Sequence, residues 1–137
     1  MIYVDTSLII SYVDERDPQH TVAEKLVQDI KKEKLVVSSL VLTELASVYS
    51  RAGLEKPLQL AIYSAELIGA ERVKIDFNEA LKQSFRLAPS LRLKTLDLLH
   101  VASCHLIKAE KLATLDKDIA SISETLSKLL EIKVLSK

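Results

Sequence analysis

The stretch Ile2 to Val13, IYVDTSLIISYV, sets one carboxylate, Asp5, inside an otherwise apolar and hydroxyl run. Ile2-Tyr3-Val4 suits a short buried strand, and the residues after Asp5 carry a helical pattern. An ionised side chain in such a setting costs several kcal/mol unless hydrogen bonds, a cation or a metal compensate it. Asp5 therefore needs a reason to be there, and the rest of the chain supplies one.

Working outward, short β-branched runs alternate with longer segments of helical period, which is the pattern of an α/β fold with a parallel sheet. Strands are expected at 2–5, 35–38, 72–75, 112–115 and 132–135, five in all. Helices are expected near 7–14, 20–32, 40–52, 56–68, 78–88, 94–109 and 118–129. Thr21 to Glu24 and Asp76 to Glu79 have capping-box spacing. Gly53 and Gly69 suit left-handed helix ends, and Pro57 suits a first helical turn. No linker or internal repeat is visible, so residues 1–137 read as one domain with one core.

Composition narrows the function classes. Nineteen basic and nineteen acidic residues balance to zero net charge, which argues against a general nucleic-acid coating protein. Any nucleic-acid binding must come from a local patch or a metal. The single cysteine, Cys104, forms no internal disulfide and suits a reducing compartment. The apolar N-terminus carries Asp5 and lacks a basic leader, and no stretch approaches the roughly 20 apolar residues of a membrane span. The expectation is a soluble cytoplasmic protein.

Four acids interrupt apolar strings: Asp5 in IYVDTSL, Glu44 in LVLTELASV, Asp97 in LKTLDLLHVAS and Asp116 in KLATLDKDIA. Asp5 and Asp116 end expected strands, and in a parallel sheet those ends share the edge where ligands of open α/β folds bind. Glu44 falls about one turn into the helix after the second strand, with Ser38 and Ser39 as cap candidates. Asp97 lies in the first turns of the helix preceding the fourth strand. All four can meet in one cleft. Clustered carboxylates repel one another, and hard cations such as Mg²⁺ or Mn²⁺ reverse that penalty. With no clustered histidine or cysteine, structural zinc does not fit. Phosphodiester hydrolysis by metal-activated water suits such a site, with helix caps and isolated ion-pair partners as the plainer reading of the same acids.

In order and spacing, IYVDTSLIISYV, VSSLVLTELASVYSR, LKTLDLLHVASC and LATLDKDI resemble the four acidic motifs of PIN domains, particularly the VapC-type toxins of prokaryotic toxin–antitoxin pairs. The resemblance spans nearly the whole chain. It implies a three-layer α/β/α sandwich and Mg²⁺- or Mn²⁺-dependent cleavage of single-stranded RNA with one or two ions. It also implies a homodimer and a small antitoxin partner. Carried over by motif, Asp5, Glu44, Asp97 and Asp116 are the metal-binding and catalytic acids. Ser7 supports the first acid, Thr6 is a weaker candidate, and Thr114 matches the threonine before the fourth acid. Asp116 and Asp118 compete for the last position. At i,i+2 they would not face alike on a regular element, so Asp116 is favoured and Asp118 is assigned a helix cap or a supporting contact.

His100, three residues after Asp97, can hydrogen-bond that carboxylate or carry a proton, or simply pack in the core. Arg51 and Lys94, with Arg92, are candidates for phosphate contacts against a solvated surface role. Aromatics at 4% leave little for base stacking. Three other readings remain: an RNA-processing PIN nuclease without a toxin role, a catalytically silent PIN-type interaction module, and a phosphate-transfer enzyme using Asp5 as nucleophile. The last lacks a second aspartate two positions on, where Ser7 stands.

Overall fold

The computed structural model describes residues 1–136. Its five strands are β1 (Ile2–Val4), β2 (Leu35–Val37), β3 (Ala70–Arg72), β4 (Lys111–Ala113) and β5 (Lys133–Leu135). They form one parallel sheet in the order β3-β2-β1-β4-β5. Central strand β1 is buried on both faces, and Ile2, Tyr3 and Val4 are all fully enclosed, as expected where helices cover both sides of a parallel sheet.

The eight helices among the described residues are α1 (Thr6–Val13), α2 (His20–Ile30), α3 (Ser39–Arg51), α4 (Pro57–Ile68), α5 (Phe77–Leu91), α6 (Thr95–Leu106), α7 (Lys117–Ser121) and α8 (Ser123–Leu130). From β1 the chain moves outward to β2 and β3, then crosses back over to β4 and β5. Right-handed crossovers on such a path put α1 to α4 on one face and α5 to α8 on the other. The packing agrees: α1 touches α2, α3 and α4, while α5 packs on α6. The result is the expected α/β/α sandwich. The path reverses direction between β1 and β4, which opens a crevice beyond their C-terminal ends. No helix among the described residues is long and apolar enough to cross a membrane.

Gly69 closes α4 in the left-handed conformation at φ 79°, Gly53 follows α3 at φ 74°, and Pro57 opens α4. Asp76 caps α5 by accepting from Glu79 N.

Four expectations need correction. The third strand lies at Ala70–Arg72, not 72–75: Gly69 turns α4 directly into an edge strand with little burial to mark it, and only one ladder bond, Val73 N to Val37 O, extends further. The fifth helix runs through Pro89 to Leu91, because proline near a helix end removes one donor only and Arg92 N closes the turn on Ala88 O. The last helix is two, broken at Ile122. Finally, α2 starts at His20 after Gln19 with no side-chain cap, so no capping box forms at Thr21. Asp17 instead braces the preceding turn, accepting from Gln19 N and Ser11 Oγ.

Candidate functional site

Asp5 leaves β1 as the N-cap of α1 and is almost fully buried. Its carboxylate is held from three sides. Thr6 N donates to Oδ1 at 2.8 Å, and Ser7 Oγ and Thr114 Oγ1 donate to Oδ2 at 3.0 and 2.7 Å. Those hydroxyls are fixed in turn, because Leu115 N donates to Ser7 Oγ and Asp116 N donates to Thr114 Oγ1. The first and last acidic motifs are thus interlocked across β1 and β4, and the expected supporting contacts of Ser7 and Thr114 form as hydrogen bonds to Asp5.

Glu44 sits in the second turn of α3, half-buried, with Oε1 accepting from Thr6 Oγ1 at 2.7 Å and from His100 Nε2. Burial alone would push its carboxyl up. The His100 hydrogen bond and charge, with the Thr6 hydroxyl, more than offset burial and hold it below the usual carboxylate range. His100 is 1% exposed on α6, and its Nε2 also lies 3.6 Å from Asp5 Oδ1. Burial disfavours the imidazolium, but the Glu44 hydrogen bond and the Asp5 charge win and raise its pKa above the ordinary value. The partner of His100 is therefore Glu44, not the Asp97 of its own helix. Three residues along α6, the ring points inward to α3 and β1, while Asp97 faces the crevice.

Asp97 is half-buried and accepts no hydrogen bond among the described residues. Burial, then the charges of Asp116 and Asp5, push it up to about 6. Asp116 caps α7, with Oδ1 accepting from Asp118 N at 2.8 Å and Ile119 N at 3.1 Å, which leaves Oδ2 free. The expected cap role of Asp118 thus belongs to Asp116. Asp118 is exposed, yet its carboxylate joins Asp97 and Asp116. The i,i+2 objection fails because Asp116 stands outside the helix in extended conformation.

Two adjoining groups result, Asp5 with Glu44 and His100, and Asp97 with Asp116 and Asp118. Within each, one donor atom per residue lies within 4.8 Å of the others. The charges of Asp5 and Asp116 both reach Asp97, which places the two groups side by side. Beside Asp118 opens a cavity of about 400 Å³ whose walls include Arg92 and Lys94. Arg51 is not brought there. It lies in the last turn of α3, exposed and roughly 10 Å of helix beyond Glu44.

Sequence reasoning missed Tyr3 and Ser38. The fully buried Tyr3 hydroxyl meets His100 Nδ1 at 2.9 Å and Ser38 Oγ at 2.8 Å, and burial pushes the phenol pKa up. Ser38 stands at the N-cap of α3 but makes no side-chain cap bond, forgoing about 1 kcal/mol of helix stabilisation for the contact with Tyr3. A tyrosine in a strand expected to be buried was the available signal, since its hydroxyl must find a partner.

No curated protein matches the sequence. Among solved structures, the toxin VapC20 of Mycobacterium tuberculosis, described as cleaving the sarcin-ricin loop, superposes with a TM-score of 0.69 at 18% identity, covering 88% of this chain and 94% of that one. VapBC-1 from nontypeable Haemophilus influenzae gives 0.68 at 17%, covering 99% and 98%. VapBC2 from Rickettsia felis, bound to a DNA fragment from its promoter, gives 0.64 at 17%, covering 100% and 99%. At these identities the likeness is one of fold. The PIN domain family model matches residues 2–125, carrying all four acidic motifs with it, and the chain belongs to the PIN domain family.

Proposed function

We propose that this chain is a divalent-metal-dependent endoribonuclease that cleaves single-stranded RNA, the toxin of a VapBC-type pair. The carrying observation is the donor set at the crevice. Asp97, with both oxygens unpartnered, is pushed to about 6 by burial and then by the charges of Asp116 and Asp5, and Asp116 keeps Oδ2 free. Half-buried, mutually repelling oxygen donors fit Mg²⁺ or Mn²⁺, which take oxygen ligands and offset that repulsion. Asp5, Glu44, Asp97 and Asp116 would hold one or two ions, with Asp118 at the margin. When bound, the ion supplies Lewis-acid chemistry: it lowers the pKa of water and neutralises charge on phosphate oxygens.

The chain's own groups supply the rest. Thr6 N, Ser7 and Thr114 hold and aim the Asp5 carboxylate. Glu44, held ionised, keeps Oε2 free to orient an attacking water. Arg92 and Lys94 bind phosphates along the cavity beside Asp118. Attack by water in line with the leaving 3′ oxygen gives 5′-phosphate and 3′-hydroxyl ends.

The VapBC structures this chain resembles in fold support an antitoxin partner, and the exposed apolar side chains Leu58, Ile62, Phe77, Leu81 and Phe85 on α4 and α5 offer surface for it or for a homodimer. The test is cleavage of single-stranded RNA with Mg²⁺ or Mn²⁺ and with EDTA, followed by end-group analysis. Cleavage indifferent to EDTA and to Asp5→Asn would overturn the reading.

A further inference from the structure

A closed polar chain runs through the core beneath the crevice. Ser38 at the start of α3 meets Tyr3 on β1, Tyr3 meets His100 on α6, and His100 returns to α3 at Glu44. Ser38, Tyr3 and His100 are all nearly or wholly enclosed. Buried polar groups stabilise a fold poorly compared with apolar residues of the same shape, and an Ala, Phe and Leu here would pack without them. The three hydroxyl and ring groups nonetheless satisfy one another, and Ser38 is diverted from capping its own helix to take part. An arrangement of that kind constrains geometry, because each member has one rotamer in which all its bonds are made.

We propose that His100 is a positioning residue: Tyr3 and Ser38 lock its ring through Nδ1, so that Nε2–H donates to Glu44 and sets where that carboxylate faces the crevice. Asp5 Oδ1 lies 3.6 Å from the same nitrogen, within ion-pair reach when the ring is charged. The hydroxyls can supply the matching partner whichever protons they carry. With a neutral ring, Tyr3 O–H donates to Nδ1 and Ser38 O–H donates to Tyr3. With a charged ring, both bonds reverse direction. The Nε2–H donor aimed at Glu44 is present in either case. Residues that orient a ligand without touching the metal commonly set its affinity, and their loss costs about 10- to 100-fold. This inference rests on the reading of Glu44 as part of the metal-holding set.

The test uses the full chain and Mn²⁺ as the probe. His100→Leu removes the donor, His100→Gln restores an N–H near the position of Nε2, and Tyr3→Phe removes the lock while keeping the ring. With melting confirming that each variant folds, calorimetric Mn²⁺ affinity should fall about tenfold or more in His100→Leu. It should fall by less in Tyr3→Phe and return to within a few-fold of the parent in His100→Gln, on the same scale. Unchanged affinity in His100→Leu overturns the proposal. So does His100→Gln as impaired as the leucine variant, which would make the imidazole itself a ligand. Should His100→Leu not fold, Tyr3→Phe decides, and parental affinity there counts against the lock.

Nitrogen-15 spectra of the metal-free parent provide a readout that fold stability does not move. Nε2 should show the shift of a protonated nitrogen, and an unprotonated Nε2 overturns the proposal. Absence of saturable Mn²⁺ binding by the parent itself would defeat the proposed function, leaving the hydrogen-bonded lock to be judged by the nitrogen-15 spectra alone.

Discussion

Thr114 donates a 2.7 Å hydrogen bond to Asp5 Oδ2 across 109 positions of sequence, and the same hydroxyl accepts from Asp116 N at 2.9 Å. One side chain thereby ties the first acid to the backbone of the fourth. Thr114→Val keeps the shape and removes both bonds. We expect a loss of about 1–3 kcal/mol in urea unfolding, since a buried carboxylate loses a donor, and roughly tenfold weaker Mn²⁺ binding by calorimetry.

Asp5→Asn should reduce RNA cleavage by more than about 100-fold, the upper end of what loss of a mere supporting contact costs. The sequence alone suggests that this change leaves the fold intact or slightly more stable. With three donors aimed at the carboxylate, its stability gain is smaller than charge removal alone implies. Thermal melting with and without Mn²⁺ checks both parts, because a ligand that binds only the native state raises the parent's melting temperature and should leave that of Asp5→Asn unchanged.

The pH dependence turns on Asp97, pushed up to about 6 in the metal-free protein against 3.8 for the ordinary side chain. Between those values the native state holds a proton that the unfolded state has released. Stability of the metal-free protein therefore falls as pH rises through that window, with solvent screening moderating the effect at this half-exposed group. In EDTA, Asp97→Asn should match the parent near the lower limit and exceed it above the upper one in thermal melting. Mn²⁺ binding should weaken below about pH 6, since the proton must leave first. Equal pH profiles for parent and variant would contradict this account.

Arg92 and Lys94 share the cavity beside Asp118, whereas Arg51 sits at the far end of α3. Single alanine substitutions at Arg92 or Lys94 should weaken RNA binding across sequences and lower the salt slope by about one each. Arg51→Ala should leave both unchanged. Filter-binding titrations across salt concentrations separate the three.

Much of this architecture is legible in the residues because burial leaves a period. Strands β1, β2 and β4 pair centrally, so apolar runs mark them, and the other edge strand, β5, is marked by Val134 and Leu135 after the buried Ile132. Edge strand β3 buries little and left no such mark, and the expected position was displaced toward the more β-branched Val73 and Ile75. Pro89 reads as a stop, yet a helix end tolerates it. The four acids stood out because each breaks an apolar string. Asp118 did not, since its pairing with Asp97 and Asp116 depends on a cap conformation that regular periodicity does not contain.

Sequence alone determined the α/β alternation, the family motifs and the identity of the candidate acids, because these follow from local periodicity and from the cost of a charge in an apolar setting. Tertiary structure decided who holds whom. His100 turned from its helix neighbour to Glu44, Asp116 rather than Asp118 took the helix cap, and Tyr3 and Ser38 left core packing and capping to lock the histidine. The pairings along the Ser38–Tyr3–His100–Glu44 chain join residues 35 to 97 positions apart, and hydrogen-bond partners at that separation are set by how strands and helices stack, which no local pattern encodes.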